Sequence, residues 1–448
     1  MDKKMIIAVA VVAVVVAAAG AVAFTVMNNN KDNGSDYTEL RLVVYGNANN
    51  DNYLDSKDVD LVKSIADSGS WDKEKYPFAD ANNDGKVDSA DVDTVKGFLD
   101  GKQSLMYYKN WSGGVSKVHY PVTGKISVSY DIALDIAILS GWYDQIGYMN
   151  VTQANIDKIS TDSYPGADKI KTVGTYPYDF ETVYSKDDLV LVTGDNYNYD
   201  ETFMNQMDAA QETGKTKDYL LLPFARCVNG MDCNTTIVTM GVMTMHQDVT
   251  KKYIEYIENI DKTVHAKLNE MGNNLSCLIF YRVDGNDAFT LRVPNNSGFH
   301  HSNVYMIQSL GFTNAAGSSN NGGVKCGIEQ IIGYDADVIF VINTGWVNED
   351  LTDSQFHDKV RDMMGYLEQT RAYKEGKVYY VGFELIGSAP GYATVPVLMS
   401  FIWPDVFDEE TGWNTLQSFY KDYLNRDIDV RNSHLAPLRM SDVGLSPA

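Results

Sequence analysis

Oxygen-bearing side chains recur at fixed steps in two stretches of this chain. The first runs Asn47, Asn49, Asp51, Asp55, Asp58 and the second Asp80, Asn82, Asp84, Asp88, Asp91. Counted from each start, they fall at positions 1, 3, 5, 9 and 12 of a loop, the ligand spacing of a calcium site. Calcium takes six to eight oxygens, and alternate residues of a tight loop can all point inward. Tyr53 and Lys86, at position 7, would contribute backbone carbonyls, so their side chains are free to vary. Leu54 and Val87 come next as apolar pins to a core, and each loop runs into a helix start, DVDLVKSI and DVDTVKGFL. The spacing therefore predicts two Ca2+ sites.

The repeat, Tyr45 to Gly101, resembles a type I dockerin: two EF-hand-like calcium loop–helix units with Asp at position 12. Two departures stand out. Asn47 replaces an acid at position 1, making the first site the weaker. Asn52 stands at position 6, where Gly85 serves in the second loop; Asn tolerates a left-handed turn nearly as well as Gly. The resemblance implies a cohesin-like partner selected by loop positions 10 and 11, here Ser56-Lys57 and Ser89-Ala90. The alternative is that the module braces the domain beside it.

Downstream, Asp248 to Met271 carries apolar residues at Val249, Tyr253, Ile257, Ile260, Val264 and Leu268, one face of a helix. Asp248 is the expected N-cap and Gly272 the expected stop. Such a helix spans roughly 36 Å. Before it lies Glu181-TVYSKDDLVLVTG and after it Glu329-QIIGYDADVIFVINTG: a glutamate, a short amphipathic turn, then an apolar strand. Strand and helix alternate on both sides, the pattern of βαβ units with parallel sheets. LMYYKNW and VSKVHYPV flank Ser112-Gly113-Gly114, a hairpin signal. The expected fold class is α/β: two Rossmann-like lobes joined by one long helix, preceded by a small α-helical dockerin-like calcium module and an N-terminal transmembrane helix. The expected boundaries are anchor 1–28, linker 29–44, calcium module 45–103, N-lobe 104–247, interlobe helix 248–271, C-lobe 272–425 and tail 426–448, a surface wrap or loose end.

Residues 105–425 resemble an ABC-transporter solute-binding protein of the iron–siderophore, haem and cobalamin family (periplasmic-binding-protein-like, class III). The resemblance rests on Val173-Gly174, Glu181 and Asp187-Asp188-Leu189-Val190 in one lobe. In the other it rests on Val324, Glu329 and Asp335-Ala336-Asp337-Val338-Ile339, with Trp403-Pro404-Asp405-Val406-Phe407 near the last helix. Asp187 and Ala336 stand where the family motif has Pro. The resemblance implies an opening hairpin at HYPVTGKISV. It further implies that Glu181 and Glu329 dock onto arginines of a membrane permease, which works with its ATPase. Carboxylates suit bidentate pairing with arginine; the plainer role is to solvate a helix first turn, where negative charge is favoured.

Ligands of open α/β lobes contact loops beyond the carboxyl ends of strands. Those loops offer Tyr130, Tyr176, Tyr178, Arg226, Arg282, His300, His301 and Trp346. Aromatics can stack on a planar macrocycle or catecholate and arginines suit an anionic chelate. The expected ligand is an iron chelate (siderophore, haem) or a corrinoid. Adjacent histidines on a strand would face opposite ways.

The net charge of −23 argues against nucleic acid and against anionic lipid as partners. No phosphate loop, zinc-protease motif or Ser–His–Asp order is present, so an enzyme is not expected. Lys3 and Lys4 precede an apolar run from Met5 to Met27, long enough to cross a bilayer with the chain's bulk outside. A signal cleaved after Ala21-Val22-Ala23 is the alternative, giving a secreted protein. Cys227, Cys233, Cys277 and Cys326 form no CxxC pair; Cys227 and Cys233 lie close enough to close a small loop. The rival function is an anchored extracellular adhesion or scaffold protein that holds a cohesin-type partner.

Overall fold

The computed structural model describes residues 42–447, except 130, 176–178, 187, 194–200, 216, 225, 229, 284–287, 297–298 and 343–352. The Met5–Met27 run and residues 29–41 of the linker lie outside the described residues. Among those described, no helix is long and apolar enough to cross a membrane.

The Asn/Asp loop repeat folds as two loop–helix units, with helices Ser56–Ser68 and Ser89–Leu99. Each helix is closed by a capping box, Asp55 with Asp58 and Asp88 with Asp91, so loop positions 9 and 12 also serve the helix amino ends. Leu54, Val62, Ile65, Phe78, Val92, Val95 and Phe98 are buried. The module is welded to the hairpin that comes after it in the chain. Val44 bridges Tyr108, Tyr45 N donates to Tyr107 O at 2.8 Å and Lys109 N donates to Val43 O at 2.9 Å. Tyr120 Oη donates to Phe98 O at 2.7 Å.

Strands β1 (Ser104–Lys109) and β2 (Val115–Tyr120) form this antiparallel hairpin about Ser112–Gly114. The hairpin expected over HYPVTGKISV does not form. β3 (Lys125–Val128) leaves β2 and enters a five-stranded parallel sheet. With β4 (Ile146–Met149), β5 (Lys171–Thr172), β6 (Leu189–Thr193) and β7 (Asp218–Leu221) its order is β5-β4-β3-β6-β7. Leu189, Val190, Leu191 and Val192 are all fully buried, as a central strand covered on both faces requires.

β8 (Arg226–Val228) stands outside that sheet. The helix Cys233–Met243 then leads to the interlobe helix, Gln247–Met271. It starts one residue before the expected cap: Asp248 lies in the first turn, and His246 holds the cap position without a side-chain bond. Gly272 closes it in the left-handed conformation, φ 68°. Tyr253, Ile257, Ile260, Val264 and Leu268 are buried, with Thr250, Ile254 and His265 beside them.

The second lobe has its own sheet of seven strands: β9 (Ser276–Val283), β10 (Phe289–Arg292), β12 (Thr313–Asn314), β13 (Gly323–Cys326), β14 (Val338–Val341), β15 (Val378–Tyr380) and β16 (Leu438–Arg439). The order is β13-β10-β9-β14-β15-β16, with β12 on β9. Its centre is parallel and its margins β10, β13 and β16 antiparallel. The lobes thus have separate sheets, one before and one after the interlobe helix. β16 belongs to the segment expected as a wrap or loose end; Ala436, Leu438, Met440 and Val443 there are buried, so it is integral.

A second connection joins the lobes. β8 pairs antiparallel with β11 (Phe299–His301), with His301 opposite Arg226 and His300 opposite Cys227. All four cysteines are free and buried, so Cys227 and Cys233 close no loop.

Candidate functional site

Parallel strands present their carboxyl ends, and the loops beyond them, to one edge of each lobe. At the carboxyl end of β9, Arg282 lines a cavity of about 530 Å³ together with Gln355, Asp358, Lys359, Asp362, Met363 and Tyr366. The first five of these partners lie on the helix Asp353–Gly365, and Tyr366 stands just past its end. They recur in alternating steps of three and one, a largely polar stripe legible as one helix face but missed among the loop candidates. Burial lowers the pKa of the Lys359 ammonium, with Glu384 acting in the other direction. Tyr366 keeps 53 % of its surface exposed, a large ring open to a ligand.

Arg226, His300 and His301 all lie on the β8–β11 ribbon that crosses between lobes, His301 opposite Arg226 and His300 opposite Cys227. His301 is buried. Tyr130, Tyr176, Tyr178 and Trp346 lie outside the described residues. A further cavity of about 420 Å³ contains His357, Trp413, Arg431 and Arg439. Its arginines are committed to carboxylates: Arg439 to Glu409 at 2.9 Å and Arg431 to Glu410 at 3.1 Å. That leaves its charge largely balanced.

Glu181 sits in the first turn of the helix Phe180–Tyr184, and Glu329 in the first turn of Ile328–Tyr334. Each short helix leads to a buried strand, β6 in one lobe and β14 in the other. Both glutamates are exposed. Neither has an ion pair among the described residues.

The two Asn/Asp loops repeat one hydrogen-bond pattern. The position-12 carboxylate accepts from the position-3 amide, Asn49 N to Asp58 Oδ1 at 3.2 Å and Asn82 N to Asp91 Oδ1 at 3.1 Å. Its other oxygen accepts from position 9, at 2.9 Å from Asp55 N and 2.8 Å from Asp88 N. The position-3 oxygen accepts from position 5 at 2.9 Å in both loops. Tyr53 N donates to Asp51 Oδ1 at 2.8 Å and Lys86 N to Asp84 Oδ1 at 3.2 Å. Asn47, at position 1, is fully buried; its Nδ2 donates to Leu42 O and Asp51 O, while its Oδ1 has no partner among the described residues. Asp80 instead accepts from Asp84 N and Gly85 N.

The left-handed residues are Asn50 and Asn83, at position 4, and Gly85, at position 6. Asn52 is not left-handed, so its expected mimicry of Gly85 fails: its side chain instead donates to Glu258 at 2.9 Å. The position-12 carboxylates have raised pKa values, burial being the largest cause. Burial first, then Asp51 and Asp55, push Asp58 up to about 6 against the bonds it accepts, and burial raises Asp91 likewise. In the second loop the Lys86 ammonium lies on Asp88 and 3.7 Å from Asp84, a side-chain cation among the acids. Among the described residues, no three His, Cys, Asp or Glu side chains converge as a metal cluster. The first loop's oxygen set nevertheless suits a hard, oxygen-seeking cation: the orphaned buried carbonyl oxygen of Asn47 at position 1, with the Asp51 and Asp58 carboxylates in the same loop.

No family model matches the chain, and neither does any curated protein. The mixed α/β fold matches that of class III periplasmic binding proteins. A TroA-like periplasmic binding protein, FepB, from Veillonella parvula is similar over 74 % of this chain and 98 % of its own, with a TM-score of 0.57 at 12 % identity. A periplasmic solute-binding protein from Veillonella parvula DSM 2008 covers 74 % of this chain and 97 % of its own, with a TM-score of 0.53 at 14 % identity.

Proposed function

We propose that this chain is the extracytoplasmic solute-binding component of an ABC importer, without enzymatic activity. It captures an iron chelate, such as a siderophore or haem, or a corrinoid, and passes it to a membrane permease and its ATPase. The observation that carries the reading is architectural: two lobes with separate sheets, tied by one long helix, in the fold of periplasmic binding proteins. Arg282 and Lys359 at the carboxyl end of β9 offer cationic partners to a ligand, with Asp358 and Asp362 in the same lining, and Tyr366 favours a ligand with a planar face. Glu181 and Glu329, equivalent in the two lobes and exposed, are the docking carboxylates. The twin loops hold two Ca2+ ions, and the Met5–Met27 run anchors the protein.

The test is a titration of the purified chain with ferric siderophores, haemin and cobalamin, followed by tryptophan fluorescence and native mass spectrometry. One-to-one binding of one chelate class is expected. Failure to bind any, alongside calcium-dependent retention of a cohesin-type partner, would replace this reading with the scaffold one. The exposed Ser56, Lys57, Ser89 and Ala90 leave that surface open to assay.

A further inference from the structure

The first calcium loop does not stand free. Gln247, at the start of the interlobe helix, offers Leu54 both a donor and an acceptor, as a neighbouring strand would: Oε1 accepts from Leu54 N at 2.7 Å and Nε2 donates to Leu54 O at 3.0 Å. Three turns along, Glu258 accepts from Asn52 Nδ2 at 2.9 Å. Between them Lys251 Nζ lies 5.5 Å from the centre of the Tyr53 ring. Loop positions 6, 7 and 8 thus all meet the helix. In the second loop Gly85 and Lys86 are exposed.

The charges are complementary in a specific way. The first loop has one acid fewer, because Asn47 stands where Asp80 does in the second. Glu258 comes to the deficient loop from outside.

We propose that the first loop and the interlobe helix form one composite cation site. The helix closes the loop at positions 6 to 8, and Glu258 supplies the negative charge that Asn47 withholds. Calcium in this loop then fixes the amino-terminal half of the helix that joins the lobes. This rests on the calcium reading of the loops. Glu258 acts through the field and through Asn52, as a positioning residue rather than a ligand.

Linkage requires reciprocity: whatever the ion does for the helix, the helix does for the ion. Calorimetric titration of the chelator-stripped full chain with calcium should show two ions bound. Glu258→Gln should weaken one of them on the order of fivefold and leave the other unchanged. Hydrogen exchange across residues 247–258 should slow on calcium addition in the parent chain and in Asp84→Asn, which damages only the second loop. It should not slow in Asp51→Asn. Two bound ions with neither a Glu258 effect nor slowed exchange would overturn the composite site and leave the calcium reading standing. No calcium binding at all would overturn both.

Discussion

Arg426 and Asp135 form an ion pair between the lobes, their side chains only 8 % and 10 % exposed. Asp135 lies on the N-lobe helix Ile132–Leu139, whereas Arg426 stands just past the last helical turns of the C-lobe. Tyr164 completes the group: its hydroxyl donates to Asp135 Oδ1 at 2.9 Å, and its ring lies 4.1 Å from the guanidinium carbon. Burial and the neighbouring Asp135 raise the Tyr164 pKa well above its ordinary value, so the hydroxyl stays a donor.

A buried pair broken on one side leaves an uncompensated charge. Arg426→Ala should therefore cost about 3–5 kcal/mol in urea unfolding, whereas Arg426→Met combined with Asp135→Leu should cost less than either single change. A double variant as unstable as the sum of the singles would contradict this.

Calcium-free stability should depend on pH through Asp58. Its folded-state pKa, about 6, lies above the ordinary 3.8, so the folded chain holds a proton that the unfolded chain releases. That contribution is complete below pH 3.8 and is lost as pH rises through about 6. In chelator, the melting temperature should fall across this window relative to Asp58→Asn. Calcium, which needs the ionised carboxylate, should remove the fall. Parallel melting profiles for parent and variant would refute the assignment.

Arg282→Met and Lys359→Met should each weaken binding of an anionic ferric chelate by roughly tenfold and flatten its salt dependence. Fluorescence titration at two ionic strengths reads both effects. Binding of a neutral corrinoid should change less.

Glu181→Arg with Glu329→Arg should abolish uptake of the bound chelate by whole cells while leaving its affinity in solution unchanged, since both side chains are exposed. Normal uptake by the double variant would remove the docking role.

The interlobe helix, the loop repeat and strands β6 and β14 were legible because each is a local pattern: apolar steps of three and four, oxygens at alternate positions, or a short apolar run. β8, β11 and β16 were not. They are two or three residues long, and their partners come from distant sequence, so pairing rather than propensity defines them. The Lys359 stripe was legible in principle, but it lies on a helix face that reaches the cavity from outside the loops beyond the strand ends. Asn52 misled for a different reason: spacing assigns a loop position, but neither its backbone conformation nor its side-chain contact with Glu258, 206 residues away, is local to that spacing.

The β8–β11 ribbon gives the two lobes a second point of attachment. Two rigid bodies joined at one place can rotate in any direction about it; joined at two, they keep only rotation about the line between the joints. The interlobe helix and the ribbon supply two such joints, and the Arg426–Asp135 pair adds a third contact across the lobes, so any rocking about the line from helix to ribbon must first part that buried pair.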